Sequence, residues 1–256
     1  MNVTICQLPA GQDAMAEAFD SLVHHCKAAE SQFVLLPEMP FSPWLAQHRS
    51  PDLQAWHEAA AAHHQMLGRF SAFGPAVVAG TRPVMIDGAP FNEAFLWDAK
   101  QGYRRIHLKY YLPDEEGFWE ASWYRRGPKS FQAAITPIGK VGFLICTELW
   151  FGEWARHYAR EGVTLLLCPR ATAGYSRDKW IAGGRAAGVN AGAFCLSSNR
   201  GGWDHQGVEW AGSGWLTGPD GEILAITDAG QPFITRTIDP EIAIRAKSTY
   251  PRYVAE

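Results

Sequence analysis

Along this chain, short apolar or β-branched runs alternate with longer stretches whose apolar residues recur at helical spacing. NVTICQL at the start reads as a strand, and AMAEAFDSLVHHCKAAE after it as a helix. FVLLPE is a buried strand that ends in a carboxylate, and Leu53 to Phe70 is an alanine-rich helix. PAVVAGTRPV and EAFLWDAKQGYRRIH read as hairpin-like strands, with turns at Asp87-Gly88 and Lys100-Gln101-Gly102. The second half repeats the alternation. ITPIGKVGFLIC gives two strands around Gly139, LWFGEWARHYAREG a helix stopping at Gly162, and VTLLLCP a strand. DKWIAGGRAAGVNAG is then a helix, AFCLSSN a strand, and SGWLTGPDGEILAIT a hairpin turning at Pro219-Asp220-Gly221. This is an α/β pattern with mixed sheets. No repeat, low-complexity stretch or linker interrupts it, so one domain over 1–256 is expected.

Composition narrows the class. Hydrophobic residues make up 47% of the chain and charged residues 19%, the mix of a globular protein with a large core. At 256 residues it is near the upper size that a single core serves, roughly 250–300 residues. The formal net charge of −3 and the absence of a basic run exclude a polyanion partner such as nucleic acid. Met1 leads directly into NVTICQLPA with no charged leader and no long apolar span, so a cytoplasmic protein without membrane partners is expected. The five cysteines are scattered and form no CxxC pair, which points to reduced thiols and to no zinc site.

The chemistry sits at strand ends. Glu38 follows FVLLP, Lys109 follows RRIHL, and Cys146 follows VGFLI. Loops at strand ends are where α/β sheets assemble sites, so the three could converge. A thiol needs a base to become a competent nucleophile, and a carboxylate such as Glu38 can take its proton. A lysine can stabilise the oxyanion that follows. No histidine lies in a comparable place. Alone, each residue has a plainer reading: Cys146 as core, Glu38 as a surface acid, Lys109 as a surface lysine beside Arg104 and Arg105. Cys6, Cys26, Cys168 and Cys195 read as core, and Glu148 and Glu153 as structural partners of backbone or arginine. His57-Glu58 begins a zinc HExxH motif, but residue 61 is alanine. Gly212-Ser213-Gly214 lacks the spacing of a nucleophile elbow.

Taken together, LLPEMPF, HLKYYLPDEEGFWE and GFLICTELWFGE resemble the motifs of the nitrilase, or carbon–nitrogen hydrolase, superfamily. FNEAFLWDAKQG and GSGWLTGPDGEIL support the match, and order and spacing agree along the chain. The resemblance implies a four-layer αββα sandwich with two mixed central sheets, a homodimer or higher assembly, and no cofactor or metal. It implies Glu38 as general base, Lys109 as oxyanion holder, Cys146 as nucleophile and Glu120, in GFWEASWY, as the residue that orders the lysine and substrate. The backbone of Thr147 would help to hold the oxyanion. Members acting on carboxylate-bearing substrates often carry an arginine three or four residues after the nucleophile, where this chain has Leu149 and Trp150. A clamp could still come from Arg170, which with Ala171 follows VTLLLCP. Trp44, Trp119, Trp123, Trp150 and Trp154 lie near the motifs, and one or two lining the pocket would suit a flat or apolar acyl group. The expected substrate is thus a small carboxamide, cleaved to acid and ammonia through a thioester. An N-carbamoyl amine ranks second and a nitrile third. An inactive binding member of the fold is the remaining reading.

Overall fold

The computed structural model describes residues 1–254. Its first half contains β1 (Asn2–Pro9), α1 (Met15–Ala28), β2 (Phe33–Leu35), α2 (Leu53–Leu67), β3 (Val77–Ile86), β4 (Ala89–Asp98) and β5 (Gly102–Leu108). There follow α3 (Glu120–Trp123), β6 (Ala134–Thr136), β7 (Gly139–Phe143), α4 (Gly152–Arg160), β8 (Leu165–Pro169) and α5 (Arg177–Ala191). The chain closes with β9 (Phe194–Trp203), β10 (Glu209–Ala211), β11 (Trp215–Thr217), β12 (Ile223–Ile226), β13 (Phe233–Thr237) and α6 (Pro240–Ala246).

Two mixed sheets meet along β1. In the first, the order runs β5-β4-β3-β2-β1, with β13 antiparallel on the far side of β1. β1, β2 and β3 are parallel, and β4 and β5 continue as an antiparallel meander. In the second, β6-β7-β8-β9 is extended by β11 and β12, with β7, β8 and β9 parallel. Only Gln7 to Pro9 of β1 cross over, pairing in parallel with Asn199 to Gly201 of β9. The αββα arrangement implied by the resemblance is therefore present.

Period-two alternation in the strands explains the layers. Val3, Ile5, Phe33, Leu35, Val77 and Ala79 face a core shared with Val141, Phe143, Leu165 and Leu167 of the second sheet. Their neighbours Cys6, Leu8, Val34, Leu36 and Val78 turn the other way, onto α1. On α1, Met15, Phe19, Leu22, Val23 and Cys26 form the buried stripe that a 3.6-residue period requires. α4 and α5 cover the second sheet through Ala155, Tyr158, Trp180, Ala187 and Ala191.

Local signals set the joints. Asp87 (φ 49°) and Gly88 (φ 75°) both take the left-handed conformation that a two-residue hairpin demands. Asp52 caps α2 by accepting from the amides of Gln54 and Ala55. Some boundaries differ from expectation. The helix expected from Leu149 starts at Gly152, because Cys146–Trp150 winds as a tighter 3₁₀ turn. β2 stops at Leu35, two residues short of Pro37, which cannot donate to a ladder. Among the described residues no helix is long and apolar enough to cross a membrane, and all five cysteines are free thiols.

Candidate active site

The reactive side chains leave strands that run in one direction. Glu38 lies just beyond β2, Lys109 is the first residue after β5, and Cys146 follows the end of β7 by three residues. Glu120 opens α3. Burial is deep at every position, with exposures of 0% for Glu38, 1% for Lys109 and Glu120, and 4% for Cys146. The turn after β7 holds Cys146 at φ 47°, in a left-handed conformation that a residue with a Cβ adopts only under constraint.

Lys109 is the hub. Its Nζ lies 2.8 Å from Glu38 Oε1 and 2.6 Å from Glu120 Oε2. Glu120 Oε2 also accepts from the Tyr124 hydroxyl, and Glu38 Oε1 accepts from Asn92 Nδ2 at 2.8 Å. Glu38 Oε2 is buried and has no hydrogen-bond partner. The Glu38 loop is fixed from the second sheet: fully buried Arg200 of β9 donates to the carbonyls of Glu38, Met39 and Ser42. Burial pulls that guanidinium down to about 10. On the other flank, Glu148 accepts from the amides of Tyr110 (2.7 Å) and Ile145 (2.8 Å) and from His107 Nε2. It is a structural partner of backbone, as its sequence context suggested.

These charges act on one another. Burial opposes the charge on Lys109, but the carboxylates of Glu120 and Glu38 overcome it and hold the ammonium above its ordinary value. Burial lifts Glu120 to about 7, with Lys109 opposing and Glu38 adding to the rise. Burial, reinforced by Glu38, pushes the Cys146 thiol well above its usual value, and Lys109 pulls it back. A thiol so placed favours its protonated form. Among the described residues no cluster of His, Cys, Asp or Glu is arranged to hold a metal ion.

A cavity of about 260 Å³ opens onto Cys146. Thr147, Trp150, Ala171 and Glu120 line it together with Phe118 and Trp180. Gly183 of α5 lets the Trp150 ring pack closely, since a Cβ there would come within 2.8 Å of it. Arg170 is not among the lining residues. Its guanidinium is held by Ser197 Oγ (2.6 Å), Thr172 Oγ1 (3.0 Å) and the Ser213 carbonyl (2.9 Å), so the clamp expected from it is not formed. Of the five tryptophans near the motifs, only Trp150 reaches this cavity. Trp44 and Trp123 are buried against other loops, with their indoles donating to Gly117 and His48 carbonyls, and Trp154 stacks on Phe131. Sequence reasoning did not single out Asn92, Tyr124 or Trp180. The first two lie inside the motifs FNEAFL and GFWEASWY; nothing around Trp180 marks it.

Comparison with known proteins agrees with this architecture. Residues 2–247 match the carbon–nitrogen hydrolase family model, and the chain belongs to that family. The N-carbamoylputrescine amidase of Arabidopsis thaliana is 30% identical over 157 residues, a stretch covering 55% of this chain and 52% of that one. The match therefore spans about half of that relative's length. A carbon–nitrogen hydrolase structure from Helicobacter pylori G27 superimposes with a TM-score of 0.87 at 20% identity, covering 99% of this chain and 94% of the other. A mutant of the Nesterenkonia sp. AN1 amidase, with acrylamide added at its active-site cysteine, gives 0.79 at 19% identity and covers 95% of this chain and 95% of the other. At such identities these two likenesses carry the fold.

Proposed function

We propose that this carbon–nitrogen hydrolase cleaves a small carboxamide to a carboxylic acid and ammonia through a thioester on Cys146. The observation that carries the reading is the half-occupied carboxylate of Glu38: Oε1 takes two donors, Oε2 is buried and unpartnered, and the carboxylate acts electrostatically on the Cys146 thiol. Glu38 Oε2 accepts the Cys146 proton as Sγ attacks the amide carbon. Lys109 Nζ and the Thr147 amide hold the oxyanion. The intermediate collapses, the C–N bond breaks, and Glu38 returns the proton so that ammonia departs. Water, deprotonated by Glu38, then attacks the thioester carbon, releasing the acid and regenerating the thiol. Glu120 keeps Lys109 aligned throughout.

The cavity supports a modest substrate. About 260 Å³ lies below the roughly 300–1,000 Å³ of drug-sized pockets. Phe118, Trp150 and Trp180 favour a flat or apolar acyl group, and Arg170 is spent elsewhere. A second reading, hydrolysis of an N-carbamoyl amine, is favoured by the similarity to the Arabidopsis thaliana N-carbamoylputrescine amidase. Ammonia release from a panel of carboxamides, N-carbamoyl amines and nitriles tests both. Turnover is expected on carboxamides first, and Cys146→Ala should abolish it while the protein still folds. Unchanged turnover in that variant overturns the mechanism, and a nitrile-only response overturns the substrate class.

A further inference from the structure

Asn92 sits near the middle of β4, fully buried, and touches both halves of the lysine–glutamate pair. Its backbone carbonyl accepts from the Lys109 amide at 2.9 Å, and its side chain donates to Glu38 Oε1 at 2.8 Å. The side-chain oxygen Oδ1 has no partner, although it is buried. An orphan buried carbonyl is a cost that an apolar residue of similar size would not incur. Core packing therefore does not account for an asparagine here. What the amide does supply is a second donor on one particular oxygen of Glu38.

That choice has a chemical consequence. An ammonium is a compact point charge that can serve either carboxylate oxygen, so Lys109 alone leaves the Glu38 carboxylate free to turn. A planar amide donor fixes which oxygen is occupied. The same amide lies against the Tyr124 hydroxyl, which donates to Glu120, which in turn meets Lys109. The contacts close on themselves around the ammonium.

We propose that Asn92 is a positioning residue for the proton transfer: with Lys109 it occupies Glu38 Oε1, leaving Oε2 as the oxygen that receives the Cys146 proton. This rests on Glu38 being the base, and the test separates the two claims without needing the substrate. Alkylation of Cys146 by iodoacetamide is followed by peptide mass across pH 5 to 9 in the wild type, Glu38→Gln and Asn92→Leu, with thermal melts alongside. Glu38→Gln should slow alkylation at neutral pH. Asn92→Leu should slow it on the order of tenfold, the effect of one hydrogen bond to a charged group, and should melt no lower than the wild type. If Glu38→Gln leaves the rate unchanged, the base assignment fails. If it slows the rate and Asn92→Leu does not, or if Asn92→Leu slows it only together with a fall in melting temperature, the positioning role fails. Should the leucine variant not fold, Asn92→Ala undergoes the same measurements with the same criteria.

Discussion

Glu38 and Glu148 are both fully buried, and both bear on the turn that carries Cys146, yet their oxygens are occupied very differently. Glu148 is saturated: Oε1 meets the Tyr110 amide and His107, and Oε2 meets the Ile145 amide and His107. It ties the segment after β5 to the segment after β7, so it clamps the backbone that presents Lys109 and Cys146. Glu38 has one oxygen crowded by Lys109 and Asn92 and the other bare. A carboxylate whose lone pairs are all engaged has little left with which to take a proton. One with an open, desolvated oxygen can act.

Exchanging each for a neutral residue should split their effects. Glu38→Gln keeps the shape and removes the base, so turnover should fall by about 10²–10⁴, the usual worth of positioned proton transfer. Its melting temperature should stay close to that of the wild type. Glu148→Ala should do the reverse, losing on the order of 3–5 kcal/mol in denaturant unfolding, as expected when one member of a buried charged network is removed. If the Glu38 variant unfolds readily and the Glu148 variant melts normally, the contrast is inverted.

Glu120 sharpens the comparison through pH. Burial lifts its carboxyl from 4.5 to about 7. A group that binds its proton more tightly when folded gives its full stabilisation below the unfolded value and loses it as pH rises through the folded one. The protein should therefore lose stability between pH 4.5 and about 7 on account of this residue, and Glu120→Gln should flatten that part of the melting-temperature profile. The smallest effect concerns Cys146 itself. At φ 47° a glycine escapes a left-handed penalty of roughly 1–2 kcal/mol, so Cys146→Gly should be at least as stable as Cys146→Ala by chemical denaturation.

Much of this was written in short-range signals. Alternating runs gave the strands, Asp87-Gly88 gave a hairpin, and the motif around each of Glu38, Lys109, Glu120 and Cys146 gave the polar cluster. Other features depend on contacts between distant segments, which periodicity does not encode. Arg170 follows a strand just as Glu38 and Lys109 do, but Ser197, Thr172 and the Ser213 carbonyl turn it inward. Trp180 lies in an ordinary helical stretch and becomes a cavity wall only because α5 packs over the turn after β7. The helix expected from Leu149 takes in only the last two residues of the 3₁₀ turn at Cys146–Trp150, and the positive φ at Cys146 is visible only in the backbone.

The crossing of β1 between the two sheets has a mechanical side. Glu38 and Lys109 are carried by one sheet and Cys146 by the other, and the strands themselves pair only over Gln7 to Pro9, with Arg200, Glu148 and the Glu38 amide on the Arg170 carbonyl as further ties. The spacing between the Glu38 carboxylate and the Cys146 thiol is in effect a gauge of how the sheets are aligned. A small slip along that line would detune the chemistry long before the cores noticed. Variants at the crossing should therefore register as slow enzymes rather than as unfolded ones.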